Sequence, residues 1–238
     1  MEDFVHLHVH TQYSLLDGQA AIPRLVDKAI SDGMRGMAVT DHGNMFGIKE
    51  YFDYCCKVNG KRKKEGLEPF KPIFGCEMYV ARRGDKSLKE IKQDQSGWHL
   101  IVLAKNEVGY KNLIKLVSRS WVDGYYMRPR TDHKDLEQFH EGLIIASACL
   151  GGEVPKKIMA DDLHAAEEAI AWFKGIWGDD YYLEIQRHKV TDPRQRANRE
   201  VYELQSKVNA VILELAEKHG VKVIATNDTH FVDEDNAE

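Results

Sequence analysis

Short apolar segments alternate with longer amphipathic segments along this chain. The short segments are rich in Val, Ile and Leu and are bounded by Gly, Pro or polar residues. Nearly continuous apolar runs of this length predict β-strands that are covered on both faces. The predicted strands are Phe4–Val9, Gly36–Thr40, Pro72–Val80, His99–Ala104, Leu143–Ser147, Tyr181–Gln186 and Val221–Thr226.

The amphipathic segments carry apolar residues at the spacing of one helix face. The predicted helices are Ile22–Asp32, Ile48–Val58, Glu107–Trp121, Asp132–Phe139 (one or two turns), Val154–Met159, Asp162–Phe173 and a long helix with the buried stripe Val201, Leu204, Val208, Val211, Ile212 and Leu215. Thr191 or Asp192 would cap the long helix before Pro193, and Gly220 would end it. Charged or polar composition predicts loops over Lys57–Glu68, Lys89–Gly97 and Tyr125–Pro129, with the second of them mobile.

The order of these elements indicates the fold class. Strands that alternate with helices predict a parallel sheet with right-handed crossovers. The GxGxxG and P-loop motifs of open nucleotide-binding sheets do not occur in the sequence. We therefore expect an α/β barrel that is closed or nearly closed. The 238 residues, 43% of them hydrophobic, are enough for one such domain over residues 1–238.

Composition narrows the class of protein further. The formal net charge of −5 gives no global sign of nucleic-acid or membrane binding, and no apolar run approaches a membrane span. No signal-peptide pattern is present at the N-terminus, and the four cysteines, two of them adjacent, do not suit a disulfide framework. We expect a cytoplasmic protein without a membrane partner. The last residues carry no helix stop signal, which predicts a fragment of a longer chain.

Metal-type donors gather near the ends of the predicted strands. His6, His8 and His10 alternate along the first strand and would share one face, and neutral imidazole is a common metal ligand. The donors at or just beyond strand ends are His8, His10, Asp17, His42, Glu77, Cys149, His188, Asp228 and His230, and His99 is an exception near the start of its strand. Barrels of this type build active sites at the carboxyl ends of their strands. The other histidines are interpreted as surface or structural groups: His6, His133, His140, His164 and His219.

The number of donors bears on the chemistry. It exceeds what one tetrahedral zinc ion needs and suits two or three metals that share carboxylate bridges. Clustered metals lower the pKa of a bridging water and stabilise charge on a displaced oxygen, as phosphoryl chemistry requires. A mixed set of imidazole, carboxylate and thiolate ligands favours zinc, with manganese or iron as alternatives.

Several motifs resemble those of a known superfamily. His8-Val9-His10-Thr11, Thr40-Asp41-His42-Gly43, Gly75-Cys76-Glu77 and Asn227-Asp228-Thr229-His230 are similar to the motifs of the PHP (polymerase and histidinol phosphatase) superfamily. Five longer segments extend the likeness to the N-terminal PHP domains of bacterial replicative DNA polymerase III alpha subunits. They are FVHLHVHTQYSLLDG (4–18), AVTDHGNMFG (38–47), LIVLAKNEVGYKNL (100–113), SACLGGEV (147–154) and ATNDTHF (225–231).

This resemblance implies a fold, a metal centre and a set of ligands. The fold would be a distorted, TIM-like (β/α)7 barrel with a trinuclear centre at the carboxyl ends of its strands. The implied ligands are His8, His10, Asp17, His42, Glu77, His99, Cys149, Asp228 and His230. Glu77 would bridge two metals, a bridging hydroxide would attack phosphorus, and Glu77, Asp228 and His188 would be the catalytic residues. His188 would lie beside the cluster, followed by Lys189 where the family has Gly.

Other polar and aromatic residues are candidates for secondary roles. Asp41 would orient a ligand or cap the next helix, and Cys76 would lie in the core. The candidate phosphate contacts are Arg82, Arg83, Lys105, Arg128, Arg130, Arg187 and His188, of which Arg82, Arg187 and His188 are favoured. The alternative role for each of these residues is a solvated surface charge that does not contact phosphate. Tyr13, Tyr125 and Tyr126 could stack a nucleobase, with packing as the simpler role for Tyr13.

Three functions are consistent with the sequence. The first is a metal-dependent phosphodiesterase, a proofreading 3′-5′ exonuclease attached to a replicative DNA polymerase. Its partners would be a single-stranded or mismatched DNA 3′ end, the remaining domains of the polymerase alpha subunit and, beyond these, the sliding clamp and exonuclease subunits. The second is a metal-stabilised domain that organises the polymerase and docks partner subunits. The third is a phosphomonoesterase of the histidinol phosphatase type, against which the polymerase-type segments argue.

Overall fold

The computed structural model describes residues 4–189 and 198–233. The helices are α1 (Ile22–Ser31), α2 (Ile48–Lys64), α3 (Glu107–Val122), α4 (His133–Gln138), α5 (Glu153–Met159), α6 (Leu163–Trp177) and α7 (Glu203–His219). The strands are β1 (Gly36–Val39), β2 (Lys71–Ala81), β3 (Gly97–Ala104), β4 (Arg130–Thr131), β5 (Leu143–Ala146), β6 (Tyr181–Gln186) and β7 (Lys222–Thr226). The predicted cap and start of the long helix at 191–193 and the chain end at 236–238 lie outside the described residues. No helix within them combines the length and hydrophobicity of a membrane span.

The strands form one curled sheet in the order β1-β2-β3-β5-β6-β7, with β4 paired to β2. The segment before α1 joins the two ends of this sheet. The Thr40 amide donates to the Val9 carbonyl (2.8 Å), and the His10 amide donates to the Thr229 carbonyl (2.7 Å). This junction, which we call the seam, links β1 to the segment that follows β7. The predicted class, a distorted TIM-like α/β barrel, is confirmed.

Strand β3 runs against both of its neighbours. It pairs antiparallel with β2 and with β5, whereas the pairs β1–β2, β5–β6 and β6–β7 are parallel. The prediction of an all-parallel sheet is therefore wrong at this strand. Because β3 is reversed, its first residues lie where the neighbouring strands end, and His99 lies opposite Tyr79 of β2. The reversal explains why a donor near the start of a strand reaches the same rim as the others.

Two predicted boundaries near the N-terminus are wrong. The segment Phe4–Val9 is not a regular strand: it accepts backbone hydrogen bonds from Ala38 and Thr40, and its one β-bridge joins Val9 to Thr229 at the seam. Helix α2 continues to Lys64, so the predicted loop Lys57–Glu68 begins too early. The last turn of α2 carries four consecutive cations, which the partial negative charge of a helix C-terminus stabilises.

Hydrogen bonds to a buried carboxylate tie the segment Lys89–Gly97 to the rest of the domain, and its mobility stays a prediction. It contains a short 3-10 turn, and the Asp94 carboxylate within it is buried. Arg83 donates two hydrogen bonds to this carboxylate, at 2.8 and 2.7 Å, and the backbone amides of Glu90 and Ile91 donate two more. Arg83 is thereby committed to a structural ion pair and is withdrawn from the candidate phosphate contacts.

The hydrophobic core lies mainly between the sheet and the helices around it. One cluster joins α3, α5, α6 and α7 to the sheet, with Leu116, Phe173 and Ile212 fully buried in it. A second cluster packs α1 and α2 against β1. A third, smaller cluster combines the alanines Ala38 and Ala146 with the larger Ile101 and Leu103 of β3. Cys76 is fully buried, and its predicted place in the core is confirmed.

Helix α3 approaches the backbone just before β5 very closely at Gly109, so a substitution at this position tests the packing between them. A Cβ atom at this position would overlap the backbone carbonyl of Gly142. Alanine normally stabilises a helix interior by about 1 kcal/mol relative to glycine, but overpacking against backbone costs about 1–3 kcal/mol. Because the overlap is with backbone, we expect the upper end of this cost, so that Gly109→Ala lowers the free energy of unfolding by up to about 2 kcal/mol in urea denaturation.

The matched control for this prediction is Gly60→Ala in α2. A Cβ atom at Gly60 would meet no atom within 4 Å, so only helix propensity should act there. We expect this variant to be more stable by roughly 0.5–1 kcal/mol. If both variants changed stability in the same direction, the close contact at Gly109 would not be the deciding effect.

Candidate metal centre

The structure brings all nine of the ligand-type residues implied by the resemblance to one rim of the barrel. They are His8, His10, Asp17, His42, Glu77, His99, Cys149, Asp228 and His230. Three groups among them have ligand atoms within 4.8 Å of one another: His8 with His10 and Asp228, His10 with His42 and His230, and Glu77 with His99 and Cys149. The first two groups share His10, and Glu77 of the third contacts His8 and His42, so the three groups adjoin one another.

Glu77 lies at the centre of this cluster. Its Oε1 atom is 2.8 Å from Nδ1 of His99, 3.3 Å from Nε2 of His8 and 4.0 Å from Sγ of Cys149. Its Oε2 atom contacts Nδ1 of His42. The two carboxylate oxygens therefore face different groups of donors, and the side chain is almost fully buried. This is the arrangement that a bridging carboxylate requires.

Asp228 approaches the cluster from the segment after β7. Its Oδ1 atom is 3.1 Å from Nε2 of His8 and 3.2 Å from Nε2 of His10, and these two nitrogens are 3.2 Å apart. Asp228 has a positive φ of 49°, a conformation that a non-glycine residue rarely adopts without a structural reason. The local backbone strain is consistent with a side chain that is aimed at a fixed point.

Asp17 and His230 complete the outer part of the cluster. Oδ2 of Asp17 is 3.2 Å from Nε2 of His42 and 3.9 Å from Nε2 of His230. The ring of His10 stacks on that of His230 at a centroid distance of 4.3 Å. Asp17 is half-exposed, so this part of the cluster is the one open to solvent.

Hydrogen bonds on the far side of three histidine rings fix which nitrogen faces the cluster. Nδ1 of His8 donates to Oε1 of Glu184 (2.7 Å), and Nδ1 of His230 donates to the backbone carbonyl of Asp228 (2.9 Å). Nδ1 of His10 donates to Oγ of Ser14 (2.9 Å), whose own proton goes to the Asp41 carboxylate. Each ring therefore turns its Nε2 atom inward, as metal-binding histidines do.

The electrostatics of the cluster fit divalent cations. The Nε2 atoms of His8 and His10 face each other and the Oδ1 atom of Asp228, which has no hydrogen-bond donor. Burial raises the pKa of Glu77, but the surrounding histidines, His99 foremost, hold that pKa well below its usual range. Ionised carboxylates buried among imidazole nitrogens need a cation between them, either a proton on a ring or a metal ion. The donor set is thus suited to metal ions.

Protons compete with metal at two of these donors. Burial lowers the pKa of His8, but the carboxylates of Glu184 and Asp228 raise it further, so its net pKa lies well above the usual value. Burial and the nearby carboxylates of Glu77 and Asp228 raise the pKa of the Cys149 thiol. Both side chains would have to lose a proton to act as ligands, which couples metal binding to pH.

Comparison with known proteins gives the family. Residues 6–188 match the family model of the PHP domain. The chain belongs to the PHP domain family. It is 44% identical to the DNA polymerase III subunit alpha of Borreliella burgdorferi and 39% identical to that of Thermus aquaticus, in each case over 237 residues and 98% of this chain. This PHP domain spans 18% of the length of those two relatives.

A solved structure of similar fold is the histidinol phosphate phosphatase of Lactococcus lactis, complexed with zinc, L-histidinol and phosphate. It is 15% identical to this PHP domain, with a TM-score of 0.47, and the match covers 98% of this chain and 88% of that chain.

A cleft of about 580 Å³ opens above the cluster of the PHP domain. Its floor is formed by donors including His42, Glu77 and Asp228, and its rim is apolar. The apolar or aromatic rim residues are Leu15, Leu16, Phe46, Trp121, Tyr125, Met127 and Pro129. Among the residues that the structure describes, Arg128 is the one Lys or Arg side chain that lines the cleft. A cleft of this volume is typical of small-ligand sites.

The predicted catalytic residue His188 does not point into the donor cluster of the PHP domain. Its Nε2 atom donates to the backbone carbonyl of Asn227 (2.6 Å), and its Nδ1 atom accepts from Nε2 of Gln205 (2.9 Å). Both ring nitrogens are therefore occupied. The side chain holds the backbone just before Asp228, and its catalytic role stays a prediction.

Most of the candidate phosphate contacts have other partners. Arg130 is buried and donates to the backbone carbonyls of Gly124, Leu88 and Lys86, so its prediction is wrong. Lys105 follows β3, whose reversal places its end at the opposite rim, and it pairs with Asp180.

The favoured contacts Arg82 and Arg187 are not among the residues that line the cleft. The guanidinium of Arg82 lies 4.7 Å from the ring centroid of Trp98, and Arg187 bonds the Tyr202 hydroxyl. Their contact with phosphate stays a prediction.

Several polar residues near the PHP-domain cluster have clear structural roles. Asp41 is buried and accepts hydrogen bonds from the Thr11 amide, the Thr11 hydroxyl and the Ser14 hydroxyl. It therefore orients His10 through Ser14, and it does not act as a helix cap. The Tyr13 hydroxyl bonds Glu50, and the ring packs against the core cluster of α1 and α2.

Glu184 is a residue that reasoning from sequence missed. It lies on β6, is buried, and accepts hydrogen bonds from His8, Gln186 and Thr226. A carboxylate that holds a metal-type histidine in one tautomer is a recurrent feature of metal sites. The signal that could have found it is a charged residue in the middle of the otherwise apolar segment YYLEIQ.

Proposed function

We propose that this PHP domain is a metal-dependent phosphodiesterase that removes nucleotides from a DNA 3′ end. The observation that carries the proposal is the full convergence of nine donors around the buried carboxylate of Glu77. The relatives that match are DNA polymerase III alpha subunits, which makes DNA the natural substrate and replication the natural setting. The remaining polymerase domains, the sliding clamp and exonuclease subunits are the proposed partners.

The nine donors would hold two or three divalent ions, with zinc favoured and manganese or iron as alternatives. Such ions supply a nucleophilic water at neutral pH and offset the charge that develops on phosphate. Glu77 on β2 positions donors from its two neighbouring strands relative to each other. One of its oxygens contacts His42, which follows β1, and the other contacts His99 of β3. Asp228 would be the second anionic ligand, and its position depends on the seam and on His188.

The cleft determines how substrate would reach the donors. Its donors lie at the floor, and Asp17 with His230 forms the more exposed side. Arg128 at the wall is placed to pair with a phosphate oxygen, and charge-assisted pairs of this kind are the strong ones. The apolar rim would exclude water from the reacting phosphate once a nucleotide is bound.

The test is a nuclease assay on the purified chain with single-stranded and mismatched 3′ ends. We expect release of mononucleotides that stops on treatment with chelator and returns when zinc or manganese is added back. An equimolar phosphomonoester serves as the parallel substrate. No release from any diester by metal-loaded protein would contradict the proposal and support a purely structural centre. Faster hydrolysis of the monoester than of the diester would instead support a phosphatase.

A further inference from the structure

We infer that Phe46, Trp121 and Tyr125 form a stacking subsite for one unpaired nucleobase at the end of the strand, with Arg128 binding its phosphate. We call these three aromatic residues the aromatic wall. The inference rests on the proposed function, because the wall lines the same cleft as the metal-type donors. It adds the recognition of the base, which the donor cluster itself does not provide.

Trp121 lies at the centre of the aromatic wall and contacts both of the other rings. Tyr125 stacks on Trp121 with a centroid distance of 5.5 Å and an interplanar angle of 21°, and Phe46 lies 5.9 Å from Trp121. All three are well exposed, with 55% of Phe46, 40% of Trp121 and 48% of Tyr125 accessible to solvent. Large aromatic residues so exposed add little to the core and offer π-faces to a ligand.

The wall is fixed in position relative to the donor cluster. Nε1 of Trp121 donates a hydrogen bond of 2.7 Å to the backbone carbonyl of Gly43, the residue that follows His42. The amide of Tyr126 bonds the carbonyl of Arg128 (3.0 Å), which closes a tight turn next to Tyr125. A base stacked on the wall would therefore lie at a defined distance from the donors.

Arg128 supplies the matching charge. Its guanidinium lies over the ring of Tyr79 at 5.9 Å, and Tyr79 in turn stacks against His42. No carboxylate forms an ion pair with Arg128 within residues 4–189 and 198–233. A cation that is exposed, unpaired with carboxylate and near the donor cluster is suited to a phosphate oxygen.

Size and geometry favour an unpaired nucleotide over a paired one. The cleft volume of about 580 Å³ lies in the usual range for a ligand of nucleotide size. A base can present its face to protein rings only after it leaves the helical stack of the duplex, which costs least at a mismatch or in a single strand. Stacking tolerates all four bases, so the subsite would discriminate by pairing state and not by sequence.

The experiment compares two substrates in two variants. One oligonucleotide ends in an ordinary 3′ nucleotide, and the other ends in an abasic 3′ nucleotide with the same phosphates. We expect Tyr125→Ala to lower kcat/KM by about 10-fold on the ordinary end and to leave the abasic end unchanged. Phe52→Ala is the matched control, because Phe52 is similarly exposed (47%) but lies outside the cleft. An equal effect of Tyr125→Ala on both ends, or no effect on either, would overturn the inference.

A binding measurement separates this inference from the proposed function. An oligothymidylate with a phosphorothioate 3′ linkage is titrated into the metal-loaded chain while tryptophan fluorescence is recorded. We expect quenching that Trp121→Phe removes and that an abasic 3′ end does not produce. If wild type cleaves no diester yet shows this quenching, the proposed function fails and the base subsite stands. If it cleaves diesters without base-dependent quenching, the subsite fails and the proposed function stands.

Discussion

Glu77→Gln is expected to reduce metal-dependent cleavage by about 1,000-fold or more. Glu77 contacts four other members of the donor cluster, and the amide would keep the shape while removing the negative charge and one acceptor. Loss of about 4 kcal/mol of transition-state stabilisation corresponds to this factor. The measurement is kcat/KM on a single-stranded 3′ end, together with the metal content per chain by elemental analysis.

The matched control for this prediction is Glu153→Gln. Glu153 is also a buried glutamate, paired with Lys157 at 2.7 Å and with His133, but it belongs to α5 and not to the cluster. We expect this variant to lose some stability and to keep both metal and cleavage. Full metal content and full activity in Glu77→Gln would rule out a bridging role for Glu77.

Removal of metal is expected to lower the midpoint of thermal unfolding by about 10 °C. Without metal ions, the Nε2 atoms of His8 and His10 and the carboxylate of Asp228 face one another in a buried space. A ligand at about 1,000 times its Kd stabilises the folded state by about 4 kcal/mol. One kcal/mol shifts the midpoint by roughly 2–4 °C in a domain of this size. Calorimetry with and without chelator measures the shift.

The Glu77→Gln variant provides the internal reference for that measurement. It should unfold at a lower temperature than metal-loaded wild type, and chelator should change its midpoint by only a few degrees. A wild-type midpoint that does not respond to chelator or to added zinc would show that metal contributes nothing to folding. In that case the metal centre would have a catalytic role only and would not stabilise the folded domain.

The convergence of the donors was predictable because strand ends in a barrel meet at one rim. His42, Glu77 and Cys149 all lie at or beside such ends, and periodicity alone located their strands. The motifs then resembled one superfamily closely enough to imply the full set. Their role as metal ligands remains a prediction.

The direction of β3 was not predictable from periodicity. An apolar run such as HLIVLA packs equally well parallel or antiparallel to its neighbours, because direction is set by the length and path of the connections. The segment Phe4–Val9 has strand composition but lies at the seam, where it forms a single bridge instead of a regular ladder. In both cases tertiary contacts decided what local sequence left open.

Secondary roles were the hardest to predict. In the sequence, nothing distinguishes Arg130 from a surface cation. In the structure it is buried and donates hydrogen bonds to three backbone carbonyls, so its role is structural. Trp121 was predicted only as the end of a helix, and its place in the aromatic wall depends on a contact with Gly43, far away in the chain. Partners distant in sequence leave no periodic signal.

The seam has a consequence for the order of events during synthesis. Val9 and Thr229 stand near opposite ends of the described chain, yet they form one bridge, and donors lie on both sides of it. A nascent chain on the ribosome would therefore hold His8 and His10 ready while Asp228 and His230 are still untranslated. Such long-range contacts form late and slowly, so the ion-binding rim would be completed only after nearly all of this domain has emerged.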